Sequence, residues 1–542
     1  MTGQEKAAVR GLVFGHLAGL VLAPTVKALA ERGVLDLLCG SEWVDIDRIV
    51  EHTCGNRGYV QVALRLLAAH GWLHRRSDEL GRVVACSLSQ KGRIAITLAP
   101  AAYARVTGFL PLAMFLEDFL FGQSEGSVLS SLEDLAAQAK IRWGLDRGND
   151  PISDEVRDRI RTHLDGLLIG PAMVALARGE IFDRIQGGPV RIEDLPGDAR
   201  CLSLIFDLLE IPGWIAREEG HVRLTPEGCY ASEIAAAYGV TVSYLPTFTG
   251  VSTLLFGNAR LPRVDQRGVE LHVDRAMNVW GSGRAHRTYF QRVDETIREI
   301  FNRPLDQQPR GICDMGCGDG ALLKHLYSVV KEHTARGAVL EEHPLVLVGA
   351  DFNKVARRVT TQTLRKAGIR SFHVIHGDIN RPAQLAGAIE ELGHDIHDFL
   401  HVRSFLDHNR PYLPPADYIR GKRKARSTGA FAHLGEEIAA DELEENLVRH
   451  LRRWAPFVGR FGLLLLELHT LPPEVTAANL NRTPAVAYDG THGFSDQYLV
   501  EVPVFLECAR EAGLVADSRF QAHFPPSELA TVSVNFFTAP RV

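Results

Sequence analysis

The sequence is poor in cysteine, and its cysteines lack the spacings of a metal or disulfide framework. Eight cysteines are spread over 542 residues without a CxxC pair, and the closest two are Cys313 and Cys317. Zinc frameworks and disulfide-stapled domains need close, repeated cysteine spacings, so the pattern argues against both. Scattered cysteines suit a reducing compartment, and we predict a cytoplasmic protein.

The sequence also lacks an excess of basic charge and a long uninterrupted apolar run. Its net charge is −6 at pH 7, whereas nucleic-acid-binding domains are usually basic. Residues 11–30 are apolar, but they include His16, Pro24 and Lys27 and continue a helical pattern. Because a membrane span needs about 18 apolar residues in a row, we predict a buried helix here and not a signal peptide.

Two segments of the N-terminal half repeat each other. Residues 24–30 (PTVKALA) recur as residues 171–177 (PAMVALA), and "GWL" with "SLSQKG" recurs as "GWI" with "RLTPEG". Each copy predicts helices followed by a two-stranded wing, which is a winged-helix pattern. Neither copy carries a basic recognition helix, so we interpret them as dimerisation or lid modules. A homodimer is therefore possible, and DNA binding is disfavoured.

From residue 310 onward, short apolar runs alternate with amphipathic helices, which is the signature of a doubly wound α/β sheet. The first run ends in Asp314, and Gly316 and Gly318 precede a helix. Glycines there let the backbone turn tightly and approach a ligand. A GxGxxG pattern alone would leave a nicotinamide cofactor open. The preceding Asp314 better suits the positively charged aminoacyl end of S-adenosylmethionine (SAM).

The next two strands supply further residues for the same cofactor. "LVLVGADF" ends in Asp351 and Phe352, and Asp351 is placed for the ribose hydroxyls. "SFHVIHGDI" delivers Asp378 and Ile379, which we expect beside the adenine. With the strands that follow, these predict an α/β class I methyltransferase fold, a Rossmann-like doubly wound sheet of seven strands.

We predict five segments along the chain. They are winged-helix-like repeat 1 at 1–100, a helical spacer or cap at 101–165, winged-helix-like repeat 2 at 166–235, a helical linker or lid at 236–305, and the SAM-dependent methyltransferase core at 306–542, with an insertion at about 410–460.

Two clusters of possible ligands follow the later strands. Asp407 and His408 come after strand four, and His492 and Gln497 lie after strand five. Converging there, they would form a mixed nitrogen and oxygen site that suits Fe(II) or Mn(II). The spacing leaves an alternative open, in which His408 is a base without any metal.

The segments "HVRSFLDHNRPY", "THGFSDQYLVE" and "MNVWGSGRAHRTYF" resemble C-methyltransferases of polyketide synthase loading modules of the apratoxin and gephyronic acid type. The resemblance covers nearly the whole chain. It implies a mononuclear iron or manganese ion beside SAM, and a malonyl or methylmalonyl substrate on an acyl carrier protein, with other polyketide synthase domains as partners. It places the metal on His408 and His492 first, then on Asp407 and Gln497.

C-methylation also needs a base, and the sequence does not rank the candidates. They are Tyr289, His401, His469 and Tyr488, and His408 and His492 are catalytic as proposed metal ligands. A metal would act as a Lewis acid on the 1,3-dicarbonyl unit. Other functions also remain open: a small-molecule O-methyltransferase with a His408 or Asp407 base, a catalytically silent SAM-binding scaffold, and a SAM-sensing regulator.

A basic run lies in the predicted insertion. It contains Arg420, Lys422, Arg423, Lys424 and Arg426. Such a run is usually a solvated face, but it would also steer an acidic carrier protein.

Overall fold

The computed structural model describes residues 1–122, 126–422 and 424–539, apart from the side chains of 127 and 284–288. The chain forms two compact units. The first contains residues 1–282, 430–438 and 472–496. The second contains residues 283–429, 439–471 and 497–542. Two segments that we predicted inside the methyltransferase core, 430–438 and 472–496, thus fold with the N-terminal part of the chain.

The α-helices of the described residues, in chain order, are α1 (Gly3–Glu31), α2 (Val34–Cys39), α3 (Ile46–Thr53), α4 (Arg57–Ala69), α5 (Gln90–Thr107), α6 (Leu110–Ala113), α7 (Leu116–Phe121), α8 (Gly126–Lys140), α9 (Pro151–Arg178), α10 (Ile181–Ile185), α11 (Ala199–Glu210), α12 (Pro226–Glu233), α13 (Ala236–Ser243), α14 (Leu245–Thr249), α15 (Val251–Phe256), α16 (Arg275–Phe290), α17 (Asp294–Phe301), α18 (Ala321–His333), α19 (Lys354–Lys366), α20 (Pro382–Glu391), α21 (Ala440–Val458), α22 (Pro473–Ala478), α23 (Ala485–Gly493) and α24 (Val502–Glu511).

The β-strands are β1 (Val44–Asp45), β2 (Leu73–Ser77), β3 (Val83–Leu88), β4 (Val190–Arg191), β5 (Ile215–Glu218), β6 (His221–Leu224), β7 (Gly311–Met315), β8 (Val346–Asp351), β9 (Phe372–His376), β10 (Phe399–Ser404), β11 (Phe431–His433), β12 (Glu436–Ile438), β13 (Leu463–Leu468), β14 (Val515–Ala516), β15 (Ala522–Phe524) and β16 (Val532–Thr538).

The first unit contains the predicted duplication. In each copy a long helix is followed by a short helix, a two-residue strand, further helical turns and a two-stranded wing. The small sheets have equivalent strand orders, β1-β3-β2 and β4-β6-β5. In both copies a glycine just after the wing packs against the carbonyl oxygen of the tryptophan that precedes the wing. A Cβ on Gly92 would lie 1.9 Å from the Trp72 oxygen, and a Cβ on Gly228 would lie 1.8 Å from the Trp214 oxygen. The winged-helix-like duplication is therefore confirmed.

The long helices α1 and α9 of the two copies cross at a pair of equivalent glycines. A Cβ on Gly19 would lie 2.4 Å from the His163 carbonyl oxygen, and a Cβ on Gly166 would lie 2.4 Å from the His16 Cα. These four positions are related by the same offset that relates the two sequence copies. Only glycine lets the two backbones approach this closely.

The predicted burial of residues 11–30 is also confirmed. Helix α1 is long and apolar enough to cross a membrane by length and composition, yet 83% of its most apolar 18-residue window is buried inside the protein. Helices α5, α9, α12 and α23 pack against it, as around a core helix.

The second unit is built on a sheet with strand order β14-β16-β13-β10-β7-β8-β9, and β15 pairs with the first three residues of β16. Strands β7 to β10 and β13 are parallel, and β16 runs antiparallel to β13. Helices α17, α18 and α19 pack together, as do α20, α21 and α24. This is the predicted doubly wound class I methyltransferase sheet, and β15 adds one strand to the seven that we expected.

We expect Gly19→Ala to lower the free energy of unfolding of the first unit by about 1–3 kcal/mol, because the added methyl group overpacks the helix crossing. Gly108→Ala is the matched control, since nothing lies within 4 Å of a Cβ at that position. Urea unfolding followed by circular dichroism would compare the two variants. Equal stability of both variants and wild type would contradict the close crossing.

Candidate cofactor and catalytic site

The loop after β7 has the backbone that a bound cofactor requires. Gly316 and Gly318 have φ of 86° and 53°, which favours glycine. The amide of Gly316 donates to the Ala350 carbonyl at 2.7 Å, and the amide of Gly318 donates to Oδ2 of Asp351 at 3.1 Å. The loop is thereby fixed to the end of β8, and α18 begins directly behind it.

Asp314 is a buried carboxylate at the end of β7. It is 2% exposed, and its Oδ1 has no hydrogen-bond partner among the described residues. Burial raises the pKa of Asp314 to about 8, and the charges of Asp351 and Asp319 add to the effect. Three carboxylates around one glycine loop favour a cationic ligand. SAM, with its sulfonium and ammonium groups, fits this requirement.

The remaining predicted cofactor residues lie at the ends of the neighbouring strands. The amide of Gly377 donates to the Asp351 carbonyl at 3.3 Å, which joins the ends of β8 and β9. Phe352 is 72% exposed. Oδ1 of Asp378 accepts from the Asn380 amide at 2.9 Å, and the carbonyl of Ile379 accepts from Trp454 Nε1 at 2.8 Å. Ligands of open α/β sheets bind at this edge.

His408 forms a buried pair with Glu467. Its Nδ1 lies 2.5 Å from Oε1 of Glu467, and its backbone amide donates to Oε2 at 3.1 Å. The side chains are 7% and 1% exposed. His408 follows β10, and Glu467 lies near the end of β13. Because β10 pairs with both β7 and β13, the pair lies at the same sheet edge as the glycine loop.

The hydrogen bond to Glu467 fixes the orientation of the His408 ring. A carboxylate acceptor implies that Nδ1 carries the proton, so Nε2 is the atom that would meet a substrate proton or a metal ion. No role was predicted for Glu467 from the sequence. An acidic residue ending the apolar run "LLLLEL" was the available signal.

The backbone before His408 adopts an uncommon conformation. Phe405 has φ of 56°, a left-handed value that is an outlier for a bulky side chain. Its amide donates to the Leu466 carbonyl at 2.8 Å, and a single 3-10 turn, Asp407–Asn409, follows. The amide of Tyr498 donates to the His408 carbonyl at 2.8 Å. The chain thus accepts local strain where it positions His408.

Asp407, predicted as a metal ligand, is engaged elsewhere. Its Oδ1 accepts from Arg403 Nη1 at 2.8 Å and contacts His450 Nε2 at 2.9 Å. Its Oδ2 is buried without a hydrogen-bond partner among the described residues. The pKa of Asp407 is lowered, because the Arg403 and His450 contacts outweigh burial.

The other two predicted ligands belong to different units. His492 lies on α23 in the first unit, and its Nδ1 contacts the Tyr488 carbonyl at 2.7 Å. Gln497 begins the last segment of the second unit and is buried. Across the described residues, no group of three or more His, Cys, Asp or Glu side chains is placed to hold a metal ion. The four predicted ligands are therefore not gathered in such a group among the described residues.

The candidate bases take distinct positions. His401 lies inside β10 opposite Cys313, packs on Trp454 and has its pKa lowered to about 4 by burial. His469 contacts the Val500 carbonyl and Ser533 Oγ.

Tyr289 packs against Phe405 and Phe524, and burial raises its pKa.

The basic run is largely paired within its own unit. Arg426 contacts Glu444, Glu507 and Glu511, and Arg420 contacts Glu442 at 2.6 Å. Lys422 and Lys424 are exposed. Arg423 lies outside the described residues.

Three family models match successive parts of the chain. The AprA N-terminal domain matches residues 9–75, the AprA winged helix domain residues 165–258, and the AprA MT2-like domain residues 270–535. The chain belongs to the apratoxin-type AprA family. The AprA-type match confirms a SAM-dependent methyltransferase, and SAM is its cofactor.

Solved structures add only distant likenesses. Human N-acetylserotonin methyltransferase with SAM is 12% identical, with 73% of this chain and 99% of that chain covered and a TM-score of 0.42. CalO1, a methyltransferase of calicheamicin biosynthesis in its SAH-bound form, is 15% identical, with 72% and 100% covered and a TM-score of 0.38. These scores are too low to carry an argument. No curated protein matches the sequence.

We expect the affinity of this AprA-type enzyme for SAM to rise with pH up to about 8, the pKa of Asp314 in the free protein. A cationic ligand favours the ionised carboxylate, so binding releases a proton, and Kd falls by up to about tenfold per pH unit below the pKa. Titration calorimetry between pH 6 and 9 would measure the slope. Asp314→Asn should bind more weakly and with little slope, whereas a pH-independent wild-type Kd would contradict this role.

Proposed function

We propose that the enzyme methylates the α-carbon of a malonyl or methylmalonyl group held on an acyl carrier protein, in the formation of a polyketide starter unit. The AprA-type family match supports the polyketide context. The observation that carries the chemistry is the buried His408–Glu467 pair at the carboxyl edge of the sheet. An α-carbon between two carbonyl groups needs a base of this kind before it attacks a methyl group.

In the proposed reaction His408 Nε2 takes the α-proton. Glu467 holds Nδ1–H and stabilises the imidazolium that forms, as a carboxylate does in other carboxylate–histidine pairs. The carbanion then attacks the SAM methyl group. A C–C bond forms, the S–CH3 bond breaks with its electron pair staying on sulfur, and S-adenosylhomocysteine leaves.

The glycine loop, Asp314 and Asp351 hold the cofactor for this step. Positioning two reactants in line supplies much of the rate enhancement in such transfers. His408, the proposed base, lies on the turn that follows β10, so the base and the cofactor lie at the same edge of the sheet.

A mononuclear iron or manganese ion is an alternative form of the proposal, and it rests on the family resemblance. In that form His408 Nε2 would hold the ion, a different group would take the α-proton, and the ion would act as a Lewis acid on the dicarbonyl unit. The contact of His408 Nδ1 with Glu467 is one that metal-ligating histidines commonly make. Of Asp407, only Oδ2 remains for such a role.

A metal-independent O-methyltransferase is the alternative that the same pair supports. A histidine held by a carboxylate can deprotonate a hydroxyl group as well as a carbon acid. NMR of the product distinguishes the two reactions, because a C-methyl group survives thioester hydrolysis as a branched acid, whereas an O-methyl group appears as an ester or ether.

We expect His408→Ala and Glu467→Gln to lower kcat on malonyl- or methylmalonyl-carrier protein by about 100- to 10,000-fold. SAM affinity should stay within about twofold, because neither side chain belongs to the glycine loop. His397→Ala is the control and should keep wild-type activity, because His397 is an exposed histidine that contacts Asp395 and Phe457. Mass spectrometry of the carrier-bound product gives the rates. Full activity of His408→Ala would exclude the base assignment.

Elemental analysis of the purified protein tests the metal. If His408 holds an ion in place of acting as the base, we expect one iron or manganese ion per chain, activity lost on chelation and restored by metal, and loss of the ion in His408→Ala. His397→Ala should retain it. Undiminished activity of metal-free protein would favour base catalysis alone.

A further inference from the structure

Next to the His408–Glu467 pair lies a second carboxylate–imidazole pair, formed by Asp407 and His450. Asp407 and His408 are neighbours on one 3-10 turn, yet their side chains have separate partners. His408 contacts Glu467, whereas Asp407 contacts His450 on α21 and Arg403 on β10.

This second layer is completely buried. Arg403, Asp407 and His450 are 1%, 1% and 0% exposed. The Arg403 guanidinium lies 4.6 Å from the centre of the Trp454 ring, also on α21. Because Oδ1 of Asp407 is an acceptor, His450 Nε2 must be its donor, and the bond joins helix α21 to the turn.

Arg410 closes the turn from the other side. Its Nη1 donates to the Asp407 carbonyl at 2.9 Å, and its Nε donates to Asn446 Oδ1 at 2.8 Å, again on α21. The same guanidinium lies 5.6 Å from the Tyr498 ring. Both backbone carbonyls of Asp407 and His408 are therefore held, as are both side chains.

Two buried guanidinium groups, Arg403 and Arg410, and two buried carboxyl side chains, Asp407 and Glu467, lie at the turn. Buried charges persist when they are paired and hydrogen-bonded. An arrangement that only filled the core would use apolar side chains at lower cost.

We propose that His450 and Arg403 are positioning residues for methyl transfer, which hold the turn through Asp407 so that the His408 ring meets the substrate in a fixed orientation. The inference rests on the proposed role of His408. It assigns Asp407 a structural task in place of a direct one. A displacement of a reacting group by about 1 Å can lower a rate by about 100-fold, so the expected effect falls on kcat.

His450 is the better position for a test, because removing an arginine would leave a buried carboxylate without its cation. His450→Leu removes the donor, whereas His450→Gln keeps an N–H group at a comparable distance from the backbone. We expect His450→Leu to lower kcat by about 10- to 100-fold, with the KM for carrier-bound substrate and the Kd for SAM within about threefold. His450→Gln should recover most of the loss.

The assay uses the full chain, with SAM binding by calorimetry and far-UV circular dichroism on each variant. A His450→Leu enzyme with wild-type kcat would overturn the proposal, and so would His450→Gln as impaired as His450→Leu. A parallel loss of SAM affinity and ellipticity would also overturn it, since that outcome means general unfolding. His408→Ala distinguishes failure of this proposal from failure of the base assignment. Full activity in that variant would refute the base assignment itself, whatever the result for the His450 variants.

Discussion

The site of the second unit depends on satisfying a nearly inaccessible carboxyl group, Glu467, at the edge of a parallel sheet. A buried charge is tolerated only when every contact around it is polar or oppositely charged. Glu467 meets this condition with the His408 ring, the His408 amide and the Leu468 amide. The turn after β10 brings His408 to Glu467 near the end of β13, and Phe405, just before the turn, has a left-handed φ of 56°.

The same constraint explains why the site is layered. Parallel strands β7, β10 and β13 end at one edge, so the carboxylates of Asp314 and Glu467 lie on two strand ends of one sheet that are separated by β10. Their environments separate their roles. Asp314 lies near the carboxylates Asp351 and Asp319 and favours a cationic ligand, whereas Glu467 is paired with the His408 imidazole. One edge can thus hold a cationic cofactor and a base without the two anions competing for one partner.

Sequence reasoning succeeded where a local pattern has one physical meaning. Glycines after a strand that ends in an acid predict the loop, and apolar runs that alternate with amphipathic helices predict a doubly wound α/β sheet, so the fold class was predictable.

Which partner a side chain takes was not predictable. Asp407 and His408 are adjacent, and their partners, His450 and Glu467, come from remote parts of the chain. Nothing in the sequence said that residues 472–496, with His492, would fold with the first unit. Arg403 within the predicted core strand "FLHVRS" was a visible signal, because arginine is rarely buried without a paired anion.

The duplication in the first unit follows similar physics. His16 Nδ1 lies 2.6 Å from the hydroxyl of Tyr238, and His163 Nδ1 lies 2.6 Å from that of Tyr103. Each imidazole is thus paired with a tyrosine that follows the wing of the other copy. Burial lowers the pKa of both histidines to about 3, so both rings are neutral and need hydrogen bonds more than charges. One copy alone would leave a buried imidazole and a buried phenol unsatisfied. The two copies are therefore complementary halves of a single core, and the glycine crossing of α1 and α9 is what brings them within reach.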